Sequence, residues 1–495
     1  MYSNELEKYL KKPAKEFTKS DIIKFVTEND IKMLNFRYVG GDSRLKKLSF
    51  VIDSIERLDN LLSMGERLDG SSIFDYIEAD ASDLYIVPKY QTAFVNPFEE
   101  DPTLDIICKY YTVEGKPLKS SPANIMLKAQ EELQKNTGYE LQVMGELEFY
   151  IIGEKEALYP ATDQHSYHES PPFSKWRFIV DEAMKIISSI GGKLKYGHSE
   201  VGSFTEGKLA MEQYELEFLT APMEESANQL ILAKWILRML GYKYGLTITF
   251  APKITVGKAG CGLHIHTKLL KDGKSVMIKN NKLSDEAKKI IAGYLDLAPA
   301  LSAFGNTIPT SYLRLVPHQE APTNICWGDR NRSVLVRVPL GWLGNAHRMI
   351  KDVNPQDDSK APDTSQKQTA ELRSPDGSAD IYLLMAGLAV AARHGLEMDN
   401  ALEKAKDLYV NVNIFDDEHK DILEKLDSLP TSCFGSAKKL LEKANVLTKY
   451  NVFSQGMLED IAEHLKSFDD EKMSEELYGK NEKIKELVNN YLHYA

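Results

Sequence analysis

The chain has 495 residues, 43% of them hydrophobic and 27% charged, which is too long for one simple domain and ordinary for a globular protein. Its 61 basic residues against 73 acidic ones leave a net charge of −12, which argues against a nucleic-acid or anionic-membrane partner. Four scattered cysteines, Cys108, Cys261, Cys326 and Cys433, form no CxxC pair, which argues against a zinc knuckle and a disulfide framework and for free thiols in a reducing cytoplasm.

The N-terminal stretch MYSNELEKYLKKPAKEF is charged and lacks the apolar core of a secretory signal. Ser20 and Asp21 predict a capped helix running to about Asn29. LNFRYV (34–39) and LSFVIDS (48–54) alternate around Gly40-Gly41-Asp42 and predict a hairpin, and DLYIVPKY (83–90) predicts a further strand. Pro97 and Pro102 mark a loop that leaves this small unit, whose expected extent is 1–105, with a larger domain over 106–495.

In the larger part, helices are expected over Ala123–Lys135, Lys175–Ile190 and Glu225–Gly241. Short alternating strands are expected at MGELEFYII (144–152), YELEFL (214–219), LTITFAPK (246–253) and GLHIHTKL (262–269). The polar stretch Lys351–Gln368 predicts a mobile loop or insertion. Ile381 to Ala392 is apolar but too short to span a bilayer and predicts a buried helix. The last ninety or so residues are helix-rich and charged, as a surface-facing appendage would be.

Four short strands, three of these and one at 371–373, hold ionisable residues two apart: Glu146 and Glu148, Glu215 and Glu217, His264 and His266, Glu371 and Arg373. Residues i and i+2 of a strand share a face, so each pair presents two polar groups on one side. A single such pair also fits a solvated strand edge. The strands are otherwise rich in Phe, Leu, Ile and Tyr, as a buried sheet is. Carboxylates converging in a core repel one another unless cations neutralise them. Carboxylate plus imidazole suits Mg²⁺ or Mn²⁺, and such ions suit phosphoryl transfer. No GxxxxGK(S/T) loop is present, so a nucleotide must be held by another scheme. YLRLVPHQEAP (312–322) and DRNRSVLVRVP (329–339) could supply guanidinium forks for phosphate or carboxylate.

Taken together these segments resemble glutamine synthetase of the bacterial and archaeal type, in the family's order along nearly the whole chain: LDGSSI (68–73), GELEFY, HSEVG (198–202), QYELEF (213–218), GCGLHIH, RLVPHQEAP, RNRSVLVRVP and ELRSPDGSADIYLLMAGLAVA (371–391). The resemblance implies an α+β fold: an N-terminal β-grasp-like domain followed by a catalytic domain with a curved antiparallel sheet and surrounding helices. It implies that Glu148, Glu200 and Glu215 bind one metal and Glu146, His264 and Glu371 another, two or three Mg²⁺ or Mn²⁺ per site with ATP as co-substrate. Arg314 and Arg373 would hold glutamate, with Gly260 beside it; Arg332 and Arg337 would stabilise the phosphate in transit, with Arg337 and His266 near the nucleotide. Glu320 would lie on a flap and Asp69 would bind ammonium. The implied reaction is ATP-dependent ligation of ammonia to glutamate through γ-glutamyl phosphate, in a cytoplasmic homododecamer of two hexameric rings.

The chain departs from the family's pattern in four places. SFTEGKLAME (203–212) separates Glu200 from Glu215, leaving Glu212 and Glu217 open as alternatives to Glu215. Ala259 replaces an asparagine of the glutamate-binding loop. Tyr159 in ALYPATD (157–163) matches the aromatic near the ammonium site only if one residue is skipped. Lys367 is the only basic candidate just before Glu371. These differences leave a glutamate–amine ligase of the same family, acting on polyamines or alkylamines, as the alternative, and a non-catalytic scaffold as a third reading. Tyr409 in DLYVN (407–411) only loosely resembles the tyrosine nucleotidylated in some members, since Val410 stands where an acidic residue is usual; an ordinary partly buried tyrosine is the expectation.

Overall fold

A computed structural model describes residues 3–74, 77, 82–316, 321–341, 346–357, 359–360, 363–364 and 366–494. Two sheets organise them.

The first sheet has Thr103–Tyr111 at its centre; Met33–Val39 pairs parallel with that strand and antiparallel with Leu45–Val51 at the edge. Thr103–Tyr111 pairs in turn with Asp83–Pro88, and that strand with Glu66–Asp69. Helices Lys19–Glu28 and Ile55–Met64 bury Ile22, Phe25, Leu58 and Leu62 with the sheet residues Leu34, Phe36, Ile86 and Ile106. This is the expected β-grasp-like unit, with one correction. The first helix is capped by Thr18, whose side chain accepts from Asp21 N while Asp21 accepts from Thr18 N. That reciprocal capping box starts the helix ahead of Ser20. The division expected at 105/106 falls inside Thr103–Tyr111, a strand hydrogen-bonded to both Met33–Val39 and Asp83–Pro88.

The second sheet has ten strands, and its main path runs Trp327–Asp329, Val336–Val338, Ala370–Leu372, Leu263–Lys271, Glu140–Glu154, Leu209–Phe218, Leu194–Glu206. Its pairings are antiparallel except the outermost, Trp327–Asp329 with Val336–Val338, which is parallel; the sheet is therefore mixed rather than wholly antiparallel. Of LTITFAPK only Thr247–Thr249 forms a strand. The insertion before Glu215 is a hairpin turning at Gly207, which prolongs two strands without moving them off the sheet.

One face of this sheet is apolar. Leu147, Phe149, Tyr214, Leu216, Leu263, Ile265 and Leu372 are buried there with residues of helices Met223–Tyr244, Asp285–Gly305 and Ile381–Glu397. Ile381–Glu397 is the buried helix the sequence predicted, and among the described residues no single helix is long and apolar enough to cross a membrane. The C-terminal helices are not an appendage. Leu440, Leu447, Phe453 and Leu458 belong to the same core, and Phe453 stacks on Phe304 at 5.2 Å. Their charged residues form the outer faces of amphipathic helices whose inner faces close the domain. Helix Ala346–Val353 occupies the start of the stretch expected as a loop at 351–368.

Candidate metal and substrate site

The opposite face of the second sheet carries the ionisable residues, and strand register brings them together. Arg337 pairs with Glu371, and Glu371 with His266. One row further, His264 pairs with Glu146, Glu146 with Glu217 and Glu217 with Tyr196. In the next row Glu148 pairs with Glu215 and Glu215 with His198. Side chains two apart point the same way, so three adjacent rows load one patch with carboxylates and imidazoles while the intervening leucines enter the core.

Glu200 reaches the patch by a bulge. Ser199 opposes Tyr214 and Ser203 opposes Glu212, so residues 200–202 lie opposite Gln213 alone. A bulge of this kind re-aims a side chain. The same register sets Glu212 apart from the other two glutamates. Glu215 and Glu217 face the patch, whereas Glu212 faces away and accepts from Lys175 N at 2.9 Å and from the Tyr214 hydroxyl.

Three sets of ligand atoms lie within 4.8 Å of one another: Glu148, Glu200 and Glu215; Glu146, His266 and Glu371; Glu146, Glu215 and Glu217. The first is the expected set. The second has His266 where His264 was expected, because His266 Nε2 is 2.9 Å from Glu146 Oε1 and 3.9 Å from Glu371 Oε2. His264 flanks the same pair, its Nδ1 3.0 Å from Glu146 Oε2 and 3.7 Å from Glu371 Oε1. His266 Nδ1 is engaged with Thr369 Oγ1 at 2.9 Å, which orients the ring.

The electrostatics fit divalent cations. Burial and the charges of Glu146, Glu148, Glu200 and Glu217 push the Glu215 carboxyl well above its usual range. Burial acts the same way on Glu146, but His266 and His264 outweigh it and hold that carboxyl well below. Glu217 Oε2 is buried without a hydrogen bond, and His266 Nε2 meets only carboxylate oxygens, of Glu146 at 2.9 Å and Glu371 at 3.9 Å. Donor atoms so placed beside clustered carboxylates are what oxygen- and nitrogen-ligated Mg²⁺ or Mn²⁺ sites need.

The surrounding residues position this patch. Glu148 Oε2 accepts from Gly262 N at 2.6 Å and from Gln213 Nε2 at 3.1 Å. Glu371 is bracketed by Arg337 Nη1 and Arg373 Nε, both at 3.1 Å. Arg373 also donates to the Arg332 carbonyl. Arg314 donates to the carbonyls of Ser374 at 2.8 Å and Arg373 at 3.2 Å, so it props the segment after the last strand. Gly260 must be a glycine here, and Gly262 leaves room for the Arg314 guanidinium. A Cβ at Gly260 would lie 2.5 Å from the Pro252 carbonyl, and one at Gly262 2.6 Å from Arg314 Nη2. The Ala259 carbonyl accepts from the Tyr150 hydroxyl at 2.9 Å.

These groups line one cavity of about 1370 Å³, with Glu146, Glu148, Glu200, Glu215, His264, His266 and Glu371 at its floor and Gly260, Arg314, Arg332, Arg337, Lys367 and Arg373 around them. That exceeds the usual range for one small ligand. Asp69 is elsewhere: it is exposed and accepts from Ser71 Oγ at 2.7 Å and Ser72 Oγ at 2.6 Å. Tyr159 is also outside, 55% exposed against Phe173. Tyr409 is 40% exposed and tilted against Trp327 at 4.9 Å, more open than expected. Glu320 lies outside the described residues.

Sequence reasoning missed three lining residues. Tyr167, in place of Tyr159, faces the site 5.5 Å from the His198 ring. His198 Nε2 is 3.3 Å from Glu215 Oε1. Lys195 pairs with Glu217. Period two, extended back from HSEVG, would have put Tyr196 and His198 on one face.

A family model described as glutamine synthetase, catalytic domain, matches residues 119–478, and one described as glutamine synthetase, beta-Grasp domain, matches residues 30–113. A glutamine synthetase of Thermus thermophilus is 30% identical over 394 residues, 77% of this chain and 80% of that protein. One of Clostridium saccharobutylicum is 28% identical, covering 88% and 91%. Among solved structures, Plasmodium falciparum glutamine synthetase matches with a TM-score of 0.75 at 20% identity, covering 94% of this chain and 97% of that one. A GmaS/ADP complex matches with a TM-score of 0.71 at 18% identity, covering 90% and 94%. At these identities the solved structures speak for the fold alone.

Proposed function

The chain belongs to the glutamine synthetase family, and we propose from that premise how its residues carry out ATP-dependent ligation of ammonia to the γ-carboxylate of glutamate. The observation that supports this reading most is the register that stacks Glu148 against Glu215 and Glu146 between His264 and Glu217 on one sheet face.

Glu148, Glu200 and Glu215 hold one cation, and Glu146, Glu371 and the imidazoles of His264 and His266 hold another. Two or three Mg²⁺ or Mn²⁺ ions, when bound, neutralise the ATP phosphates and the phosphoryl group in transfer. Arg373, assisted by the loop that Arg314 props, binds the glutamate carboxylate beside Gly260. Arg332 and Arg337 stabilise charge on the phosphoryl group as it passes to the γ-carboxylate, giving γ-glutamyl phosphate and ADP. Ammonia then displaces phosphate to give glutamine. Asp69 takes up ammonium and accepts its proton, and Glu320 closes over the acyl phosphate to exclude water.

Asp69 is exposed and lies off its own chain's cavity, which supports its serving a neighbouring subunit in a ring; two stacked hexamers are the assembly we propose, in the cytoplasm. We place the division between the two units after Tyr111, where the first sheet ends.

One observation favours a second reading, an amine wider than ammonia. Tyr167 is 51% exposed beside His198, and Ala259 removes a polar side chain from the loop. Phosphate release from ATP tests both. A requirement for glutamate and ammonium with glutamine as product supports the first; release that needs a primary amine and ignores ammonium overturns it for the second.

A further inference from the structure

A second cavity, of about 460 Å³, opens where the turn at Ser43–Leu45, helix Met223–Tyr244 and His493 meet. Four of its lining residues are basic: Arg44, Lys234, Arg238 and His493. Trp235, Ile231 and Ile248 provide an apolar wall.

These cations are poorly compensated. Among the described residues none of Arg44, Lys234 and Arg238 has a carboxylate oxygen within 4.0 Å. Lys234 is 6% exposed and donates only to the Gly377 carbonyl at 2.7 Å. The Arg238 guanidinium rests on the Phe250 ring at 5.1 Å, with Lys234 Nζ at 5.3 Å from the same ring. Arg44 donates to the backbone carbonyls of His493 and Tyr494. Asp376 and Asp380 offset part of the Lys234 charge from beyond 4.0 Å, and Asp380 also accepts from the Ser43 side chain at the edge of the cavity. Asp376 accepts from Asn306 Nδ2 at 2.7 Å and Ser378 N at 2.9 Å, and Asp380 caps a helix through Leu383 N at 2.9 Å.

The groups sense one another through this space. Burial, with Arg238 and Arg44 alongside, brings the Lys234 ammonium down to about 7. Burial and Arg44 bring Arg238 down to about 10, and burial with Arg238 and Arg44 lowers His493 as well. Gathered cations with no carboxylate in contact are costly in a cavity that excludes part of the solvent.

We propose that this cavity is an anion site for a small organic acid, its carboxylate or phosphate group held between Arg238 and Arg44 and its apolar body lying on Trp235 and Ile248. Guanidinium forks match both oxyanions bidentately. The apolar wall favours a ligand with a hydrocarbon or aromatic portion over a bare ion. An occupant ties the turn of the first unit to the helix that holds Gly377, four residues beyond Arg373, so it acts on the segment that Arg314 props.

The test is thermal unfolding and tryptophan fluorescence of the assembled protein with succinate, phenyl phosphate or inorganic phosphate, each against sodium chloride at equal ionic strength. The expected result is a midpoint rise of at least about 2 °C beyond the salt control with one of the organic anions, together with a fluorescence change from Trp235. The rise persists in Arg332→Gln, which alters the metal-lined cavity, and disappears in Arg238→Met and in Arg44→Met, the latter at an exposed position. Succinate and phenyl phosphate separate a carboxylate ligand from a phosphate one, and a response to inorganic phosphate alone overturns the organic-acid assignment. No rise with any probe, or an equal rise in both arginine variants, overturns the site.

Discussion

Glu148 and Glu215 stand directly opposite each other on neighbouring antiparallel strands, each 7% exposed. Like charges at opposed positions destabilise a sheet, and burial multiplies the penalty. Cation binding relieves it. Mg²⁺ or Mn²⁺ at 100 times its dissociation constant stabilises the fold by about 2.7 kcal/mol per site, a midpoint rise of a few degrees over protein in chelator. Glu215→Gln removes one of the repelling charges, so the metal-free variant is at least as stable as wild type while most of its metal-induced rise is lost. Differential scanning fluorimetry with and without chelator decides this; an unchanged metal response in the variant would sink the assignment of Glu215 as a ligand.

Arg332 is exposed at the cavity mouth, and its own backbone carbonyl accepts from Arg373. Its side chain is therefore free to meet a transferring phosphoryl group without a structural duty. Arg332→Gln lowers kcat by about 100- to 1000-fold, the usual loss for one oxyanion donor, with the unfolding midpoint within about 1 °C of wild type. Steady-state phosphate release and a melt on the same preparation check both halves. A large loss of stability would mean that the arginine holds the 329–339 segment instead.

Asp69 and the cavity belong to different surfaces of one chain. If neighbouring copies complete each other's sites, Asp69→Asn and Glu148→Gln are each inactive alone but complement when co-expressed. A random mixture in a head-to-tail ring makes about one interface in four intact. Recovery of about a quarter of wild-type activity is the expected outcome, and none would show that Asp69 does not act across subunits.

The metal strands were legible because alternation of Glu or His with Leu or Ile over a few residues has one strong physical explanation, a sheet with a polar and a buried face. Glu146, Glu148, Glu215, His264 and Glu371 come together as that pattern predicts. Alternation also sets Glu212 apart from Glu215 and Glu217, since an even step from 215 reaches 217 and not 212. What it cannot carry is irregular backbone. Glu200 depends on a bulge, visible only once Ser199 and Ser203 are paired with their partners. Tyr167 reaches the site from an irregular stretch with no period to read, and the sequence reading named only Tyr159, eight residues earlier. The C-terminal helices misled for a different reason: their many charged residues hid a narrow stripe of Leu440, Leu447, Leu458 and Leu465 that closes the main core.

Asp296 offers a stability measurement independent of catalysis. Its carboxylate meets His394 Nε2 at 3.1 Å, Lys404 Nζ and Lys443 Nζ at 2.8 Å, and so links helix Asp285–Gly305 to three others. Burial works against the charge, but the hydrogen bonds from His394, Lys404 and Lys443 outweigh it and hold this carboxyl far below its ordinary range. A carboxyl depressed in the folded state stabilises fully above its unfolded value near 4 and loses that contribution as the pH falls further. Asp296→Asn therefore destabilises by about 1–3 kcal/mol at pH 7, the range between exposed and buried pairs, because Lys404, Lys443 and the His394 ring lose their shared partner. The gap between variant and wild type stays constant from pH 7 to about 5 and narrows below 4, where the wild-type carboxyl takes up its proton on unfolding. Denaturant unfolding at pH 7, 5 and 3.5 measures it. A gap that does not depend on pH would mean that packing, and not the charge on Asp296, joins these helices.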